Sequence, residues 1–211
     1  MDFEASRANL IKHLNPEIRD KRVLGVMSHV PRELFVPLES RHLAYEDIPL
    51  PVGFDQTISQ PLIVALMTEA LELTGDEKVL EVGTGSGYQA IILAELVKWV
   101  ITVERVPVLA KSSSKLLHSL GYTNIEVRMA EETLGWSVEA PYDAIMVTAA
   151  APSVPVDLLA QLATGGRMII PVGSKYTQEL TKIIKDEEKD IVQNLGGCRF
   201  VSLIGRGAWE E

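Results

Sequence analysis

The sequence predicts an α/β fold: a mostly parallel sheet in three layers, with helices on both faces. Three observations predict it. The short apolar run Val79-Leu80-Glu81-Val82 leads straight into three alternate glycines, Gly83, Gly85 and Gly87. A helical pattern follows at once, from Tyr88 to Leu96. A second apolar run, Val100 to Val103, ends in Glu104, 21 residues beyond Gly83. From Glu77 onward, short apolar runs then alternate with helical segments, the pattern of parallel strands joined by crossover helices.

Taken in order, residues 3–14 and 17–29 show helical spacing. Leu10, Ile11 and Leu14 share one face; Ile18, Val23, Leu24 and Met27 make another. Asn15-Pro16 separates the two, and Pro16 suits the first turn of the second. A short helix is expected from Pro31, ended by Pro37. Residues 47–60, rich in proline and glycine, are expected to form an extended loop. Pro61 opens an apolar helix from Leu62 to Leu73, expected under the sheet. Strands are expected near 77–82, 100–104, 124–128, 143–148 and 166–172, and helices near 87–97, 107–120 and 155–162. Gly165-Gly166 is expected as the turn between the last helix and its strand. Leu180–Lys185 and Cys198–Ile204 are expected to close the sheet as an antiparallel hairpin around the charged turn 186–190. The division expected is one domain, 1–211, with a helical N-terminal region, 1–74, that holds a candidate site loop at 53–61, and an α/β core, 75–211.

Composition narrows the function. Net charge is −9 with no basic stripe, so duplex nucleic acid is not expected as a partner. No apolar run is long enough to span a membrane, and the N-terminus lacks the look of a signal peptide. Cys198 is the single cysteine; it cannot pair internally and suits a reducing cytoplasm. It reads as a small buried strand residue. No cysteine or histidine pair has metal-ligand spacing, so no metal is expected, and His13, His29, His42 and His118 read as structural. A cytoplasmic monomer is expected.

The glycine loop is the strongest chemical signal. Alternate glycines before a helix leave no Cβ between loop and ligand, and the helix start offers free N–H groups. A dinucleotide loop needs a third glycine where Tyr88 stands, and a phosphate loop needs a lysine that this stretch lacks. The nucleophile elbow fails because Thr84 stands where it needs glycine. What remains, acid-x-Gly-x-Gly-x-Gly, resembles the S-adenosylmethionine (AdoMet) loop of Rossmann-like methyltransferases. Glu104 stands where doubly wound folds place the acid that binds ribose hydroxyls. A second candidate site is Asp55-Gln56-Thr57-Ile58-Ser59-Gln60-Pro61. Its hydroxyls suit a binding loop; equally, Thr57 or Ser59 could cap the helix that Pro61 begins.

Several segments carry a closer resemblance: Pro31 to Pro37, Ala44 to Asp47, Pro49 to Gly53, Gln56 to Pro61, Glu81 to Gly87, Ala140 to Ile145, Thr148 to Pro152, Gly165 to Gly173 and Arg199 to Val201. In order and spacing they resemble the protein-L-isoaspartate O-methyltransferases. The resemblance implies a repair enzyme. It would move a methyl group from AdoMet to the free α-carboxylate of L-isoaspartyl residues in damaged proteins. It implies that Ser59 is the active-site residue, with Thr57 and Ile58 shaping the substrate site. It assigns Gly83, Gly85 and Gly87 to the methionyl end of AdoMet, Glu104 to the ribose and Glu131 to the adenine, and counts Glu81 among the cofactor-binding residues. Little acid–base work is required, because a carboxylate is already ionised at pH 7. Positioning and exclusion of water are the demands.

Departures from the family pattern are Ala130-Glu131-Glu132 in place of Gly-Asp-Gly, Asp55 where glycine is frequent, and Ser202 where proline is. Glu132 is expected to put a side chain where glycine allows positive φ or close backbone approach. Rival readings are a methyltransferase of another substrate class, or an AdoMet-binding or interaction protein that kept this fold and lost activity.

Overall fold

A computed structural model describes residues 2–210. The chain begins with helix α1, Phe3–Leu14, capped by the Asp2 carboxylate on the Ala5 N–H at 3.0 Å. Helix α2 spans Lys21–Met27, shorter than the expected 17–29. Pro16 does not open it. The N–H groups of Arg19 and Asp20 donate instead to Glu69, both at 2.6 Å, and Asp20 caps the helix on the Arg22 N–H. Two 3₁₀ turns follow, Arg32–Phe35 and Leu38–Leu43.

The expected loop at 47–60 is instead an antiparallel hairpin of β1, Leu50–Gly53, and β2, Gln56–Ile58. Phe54 and Asp55 turn it, with φ of 56° and 55°. Two central residues at positive φ are the demand of a type I′ turn, normally met by Asn-Gly. The glycine usual at position 55 in the family suits that conformation; this chain adopts it with Asp55.

Helix α3, Pro61–Ala70, leads into the main sheet. Its elements are β3 (Lys78–Val82), α4 (Tyr88–Ala94), β4 (Trp99–Glu104), α5 (Pro107–Ser119), β5 (Ile125–Met129), β6 (Tyr142–Val147), α6 (Val156–Gln161), β7 (Leu162–Gly173), β8 (Gln178–Ile184) and β9 (Ile191–Cys198). The strand order is β5-β4-β3-β6-β7-β8-β9. Pairs from β5 to β7 are parallel; β8 and β9 are antiparallel. The chain winds outward from β3 to β5, then returns to place β6 against the other edge of β3. That reversal opens a crevice at the carboxyl ends of β3 and β6, where ligands bind in open α/β sheets.

Two details at the C-terminal end differ from expectation. Gly165-Gly166 lies within β7 as a bulge: Tyr142 pairs with Leu162, but Ala144 already pairs with Arg167. The closing hairpin forms, but its second strand is Ile191–Cys198, not 198–204. Residues 201–203 run instead beside the segment after β6. Ala150 N–H donates to Val201 and Leu203 N–H donates to Ala150, both at 2.8 Å. Cys198 is a half-buried residue at the end of β9, and burial pushes its thiol up to about 11.

Apolar packing joins the N-terminal helices to the sheet. Leu10, Leu14 and Met27 share one buried cluster with Ile58, Tyr88 and Ile91. Further buried clusters lie among the strands, around Leu80, Ile145 and Ile170 and around Val79, Met146 and Ile169.

Candidate active site

The glycine loop leaves β3 at the crevice. Gly83 has φ +106°, Gly85 +52° and Gly87 +89°. A Cβ on Gly83 would collide with the Thr148 hydroxyl, which follows β6. That hydroxyl donates to the Gly83 carbonyl at 2.6 Å, tying the two strand ends together. Glu104 closes the loop from the side. Its Oε2 accepts from the Gly85 N–H at 2.7 Å and its Oε1 from Val106 N–H at 2.9 Å.

Gly83, Gly85, Glu104 and Glu131 all line one open cleft. Thr57, Ile58 and Ser59 form its opposite wall, and residues 201–204 its roof. The structure thus brings together seven of the residues singled out from the sequence. Two stand outside. Gly87 caps α4 from behind, with Leu117 and Ser113 in contact range of any added Cβ. Glu81 is completely buried beneath the loop. The Thr102 hydroxyl donates to its Oε2 at 2.5 Å and lies 2.7 Å from the Thr84 hydroxyl. Its Oε1 has no partner among the described residues. Burial pushes the Glu81 carboxyl up to about 8, so it holds a proton at neutral pH.

Glu131 and Glu132 follow β5, where Ala130 N–H still donates to Glu104 at 2.9 Å. Both side chains are exposed, and only Glu131 faces the cleft. Glu132 is not at positive φ, so the conformation expected of a glycine there is not required.

Ser59 ends the short hairpin just before α3. Neither Thr57 nor Ser59 caps that helix: the cap position is Gln60, without a side-chain bond. Asp47 does the capping from a distance. Its Oδ1 accepts from Leu62 N–H at 2.8 Å and its Oδ2 from Gln60 at 2.9 Å. The hydroxyls of Thr57 and Ser59 have no hydrogen-bond partner among the described residues, which leaves them available to a ligand. From beneath, Arg32 Nη2 donates to the Ser59 carbonyl at 2.7 Å.

A second groove meets the cleft here. It is lined by Pro49, Gln60, Ile63, Cys198, Arg199 and Phe200, and Thr57, Ser59, Thr148 and Val201 border both hollows. Sequence reading assigned no role to Thr148, Asp47 or Arg32. Each lies in a segment that carried the family resemblance, but nothing in their spacing points to Gly83 or Ser59. Among the described residues no group of three or more His, Cys, Asp or Glu is placed to hold a metal ion.

A glycine loop, a strand-tip acid and a crevice at the β3/β6 reversal define a Rossmann-like methyltransferase. The chain matches the family model for protein-L-isoaspartate(D-aspartate) O-methyltransferase over residues 5–208. It is 51% identical to protein-L-isoaspartate O-methyltransferase 1 of Syntrophobacter fumaroxidans, covering 100% of this chain and 99% of that one. It is 49% identical to the Geobacter metallireducens enzyme of the same name, covering 99% and 98%. Among solved structures, one protein-L-isoaspartate O-methyltransferase superposes with a TM-score of 0.85 at 28% identity, over 96% of this chain and 67% of that one. Another, from Plasmodium falciparum in complex with S-adenosyl-L-homocysteine, gives 0.82 at 28% identity, over 95% and 99%. The chain belongs to the protein-L-isoaspartate(D-aspartate) O-methyltransferase family and is an AdoMet-dependent methyltransferase.

Proposed function

We propose that the glycine-loop cleft holds AdoMet, that the adjoining groove takes the damaged polypeptide, and that Ser59 receives the isoaspartyl α-carboxylate between them. The observation that carries this is the shared border: Thr57, Ser59, Thr148 and Val201 line both hollows. A group-transfer site needs donor and acceptor to meet at one place, with the rest of each held apart.

The cleft suits AdoMet. Gly83 lets the loop close on Thr148 at the cleft wall, where a Cβ would collide with the Thr148 hydroxyl. Each Glu104 oxygen accepts one backbone N–H, and an ionised carboxylate has about four acceptor positions. Capacity therefore remains for ribose hydroxyls. Glu131, at the rim, faces the adenine end. Glu81 and Gly87 act from behind the loop, shaping it without touching the ligand. AdoMet supplies a methyl group made electrophilic by a positively charged sulfur.

The chain's own residues orient and shield. The Ser59 hydroxyl donates to one oxygen of the incoming carboxylate and turns the other toward the cleft. Thr57 and Ile58 hold the hairpin wall that keeps water out. No proton has to move, and no histidine or lysine lines either hollow among the described residues. The product is a methyl ester.

We read residues 1–211 as one domain: the N-terminal helices share a buried cluster with α4. We also read it as a cytoplasmic monomer with neither nucleic acid nor membrane as partner. Net charge −9 and the single cysteine support this. No helix among the described residues is long and apolar enough to cross a membrane. The test is methyl transfer from labelled AdoMet to an isoaspartyl peptide and to its aspartyl twin. The expected result is base-labile label on the isoaspartyl peptide alone. Equal labelling of both, or of neither, overturns the reading.

A further inference from the structure

Arg32 is completely buried, yet among the described residues it has no ion pair. Its Nε–H donates to the Ala44 carbonyl at 2.9 Å and its Nη2 to the Ser59 carbonyl at 2.7 Å. Its guanidinium lies 4.8 Å from the centre of the Tyr88 ring, the first residue of α4 after the glycine loop. Nη1 is buried without a hydrogen-bond partner. Asp47, Tyr45 and Tyr88 are the titratable groups that act on it. Asp47 acts on it only from a distance, with its oxygens hydrogen-bonded to Gln60 and Leu62 and no direct ion pair, and burial keeps both tyrosines neutral.

Such a cation is a poor choice for stability alone. An apolar side chain of similar volume commonly does as well or better than a buried charge, which loses its hydration. Two carbonyl acceptors, a ring face and the field of Asp47 recover part of that loss without a direct ion pair. The guanidinium sits one hydrogen bond away from Ser59. The group the reaction brings to Ser59 is an anion.

We propose that Arg32 is the positioning residue of the substrate site: its guanidinium fixes the Ser59 backbone against the glycine-loop helix, and its charge favours an anionic substrate over a neutral one. This rests on the reading that Ser59 receives the α-carboxylate. Arginine is suited to both tasks, since its planar fork holds two carbonyls at once and it stays charged when buried.

Two variants separate the tasks. Arg32→Lys keeps a positive charge and loses the fork. Arg32→Gln can still donate to a carbonyl and loses the charge. Each is compared with the parent for kcat, for AdoMet Kd, and for affinity toward an isoaspartyl peptide and its neutral α-amide. The parent should prefer the acid to the amide, and Arg32→Gln should lose about tenfold of that preference, equivalent to one buried charge interaction of ordinary size. Arg32→Lys should retain it within about threefold, while kcat falls about tenfold or more in both variants. AdoMet Kd should stay within about threefold in both.

The ratio of acid to amide is the informative quantity, because a merely loosened site weakens both peptides alike. An unchanged ratio in Arg32→Gln, or AdoMet binding that weakens in step with peptide binding, overturns the proposal. If Arg32→Gln shows no cooperative melting, the comparison passes to Tyr88→Leu. That variant leaves the charge and removes the ring beneath it. It should keep the acid preference and lower kcat; loss of the preference overturns the proposal. A parent that methylates no isoaspartyl peptide fails the underlying reading and takes this one with it. An active parent whose variants match it fails this one alone.

Discussion

Replacing Gly83 by alanine tests how the crevice is built. The residue sits at φ +106°, and an added Cβ would strike the Thr148 hydroxyl. Holding an L side chain in such a backbone region costs of order 1–3 kcal/mol. Thr148 must also swing away and give up its 2.6 Å bond to the Gly83 carbonyl, a loss of about 0.5–1.5 kcal/mol. The expected destabilisation of Gly83→Ala is therefore about 2–4 kcal/mol in urea unfolding without ligand. The collision is with one atom, since the next, Thr148 Cβ, is 3.6 Å away. Thr148→Ala removes that atom. The Gly83→Ala/Thr148→Ala double variant should then be more stable than the two single losses sum to, by about 1 kcal/mol. Calorimetry should find AdoMet binding weakened at least about tenfold in Gly83→Ala, because the loop must shift where the ligand lies against it. An unfolding midpoint equal to the parent's, or strictly additive losses, would refute the reasoning.

Other perturbations probe the surrounding groups. Glu81 keeps its proton up to about pH 8, whereas the unfolded chain releases it near about 4.3. The folded state therefore binds the extra proton across that window. Its contribution is complete below the window and is lost as pH rises through it, by at most about 1.4 kcal/mol per unit. Glu81→Gln, neutral throughout, should flatten this slope in pH-resolved denaturation; an unchanged slope would show that other groups cause it. Asp47→Ala should lower stability by about 0.5–2 kcal/mol through loss of the α3 cap, and should also lower turnover, because Gln60 is released beside Ser59; parent-like turnover would mean Asp47 does not steady the loop. In calorimetry, Glu104→Ala should weaken AdoMet by about 1–3 kcal/mol and Glu131→Ala should weaken it less. Glu132→Gly, outside the cleft wall and not at positive φ, should leave affinity unchanged; tighter binding would show that Glu132 obstructs the ligand.

Much of the sheet was legible because β3, β4 and β6 are short apolar runs, each followed by a helix. The register that places Gly83 beside Thr148 was not, since parallel pairing joins residues far apart in sequence. The β1–β2 hairpin was hidden by Pro49, Pro51 and Gly53 and by a turn, Phe54-Asp55, without its usual residues. Strand β9 was hidden because nearly all of it is exposed, its apolar Ile191, Val192 and Leu195 included, so no alternation of buried and exposed residues marks it. The site showed the same division. Ser59, Gly83 and Glu104 stand in motifs with local signatures. Asp47, Arg32 and Thr148 act only through contacts that folding creates, 15, 27 and 65 residues away in sequence.

Ser59 carries the central claim, and one comparison tests it. Ser59→Ala is measured for its rate on an isoaspartyl peptide, with AdoMet affinity and melting recorded on the same protein. Because the hydroxyl neither caps α3 nor bonds to another described residue, stability should change by less than about 0.5 kcal/mol. AdoMet affinity should hold within about threefold, while the rate should fall by roughly tenfold to a thousandfold from lost positioning and charge stabilisation. A variant that turns over like the parent, or one that loses rate only as it loses AdoMet or its fold, would contradict the account.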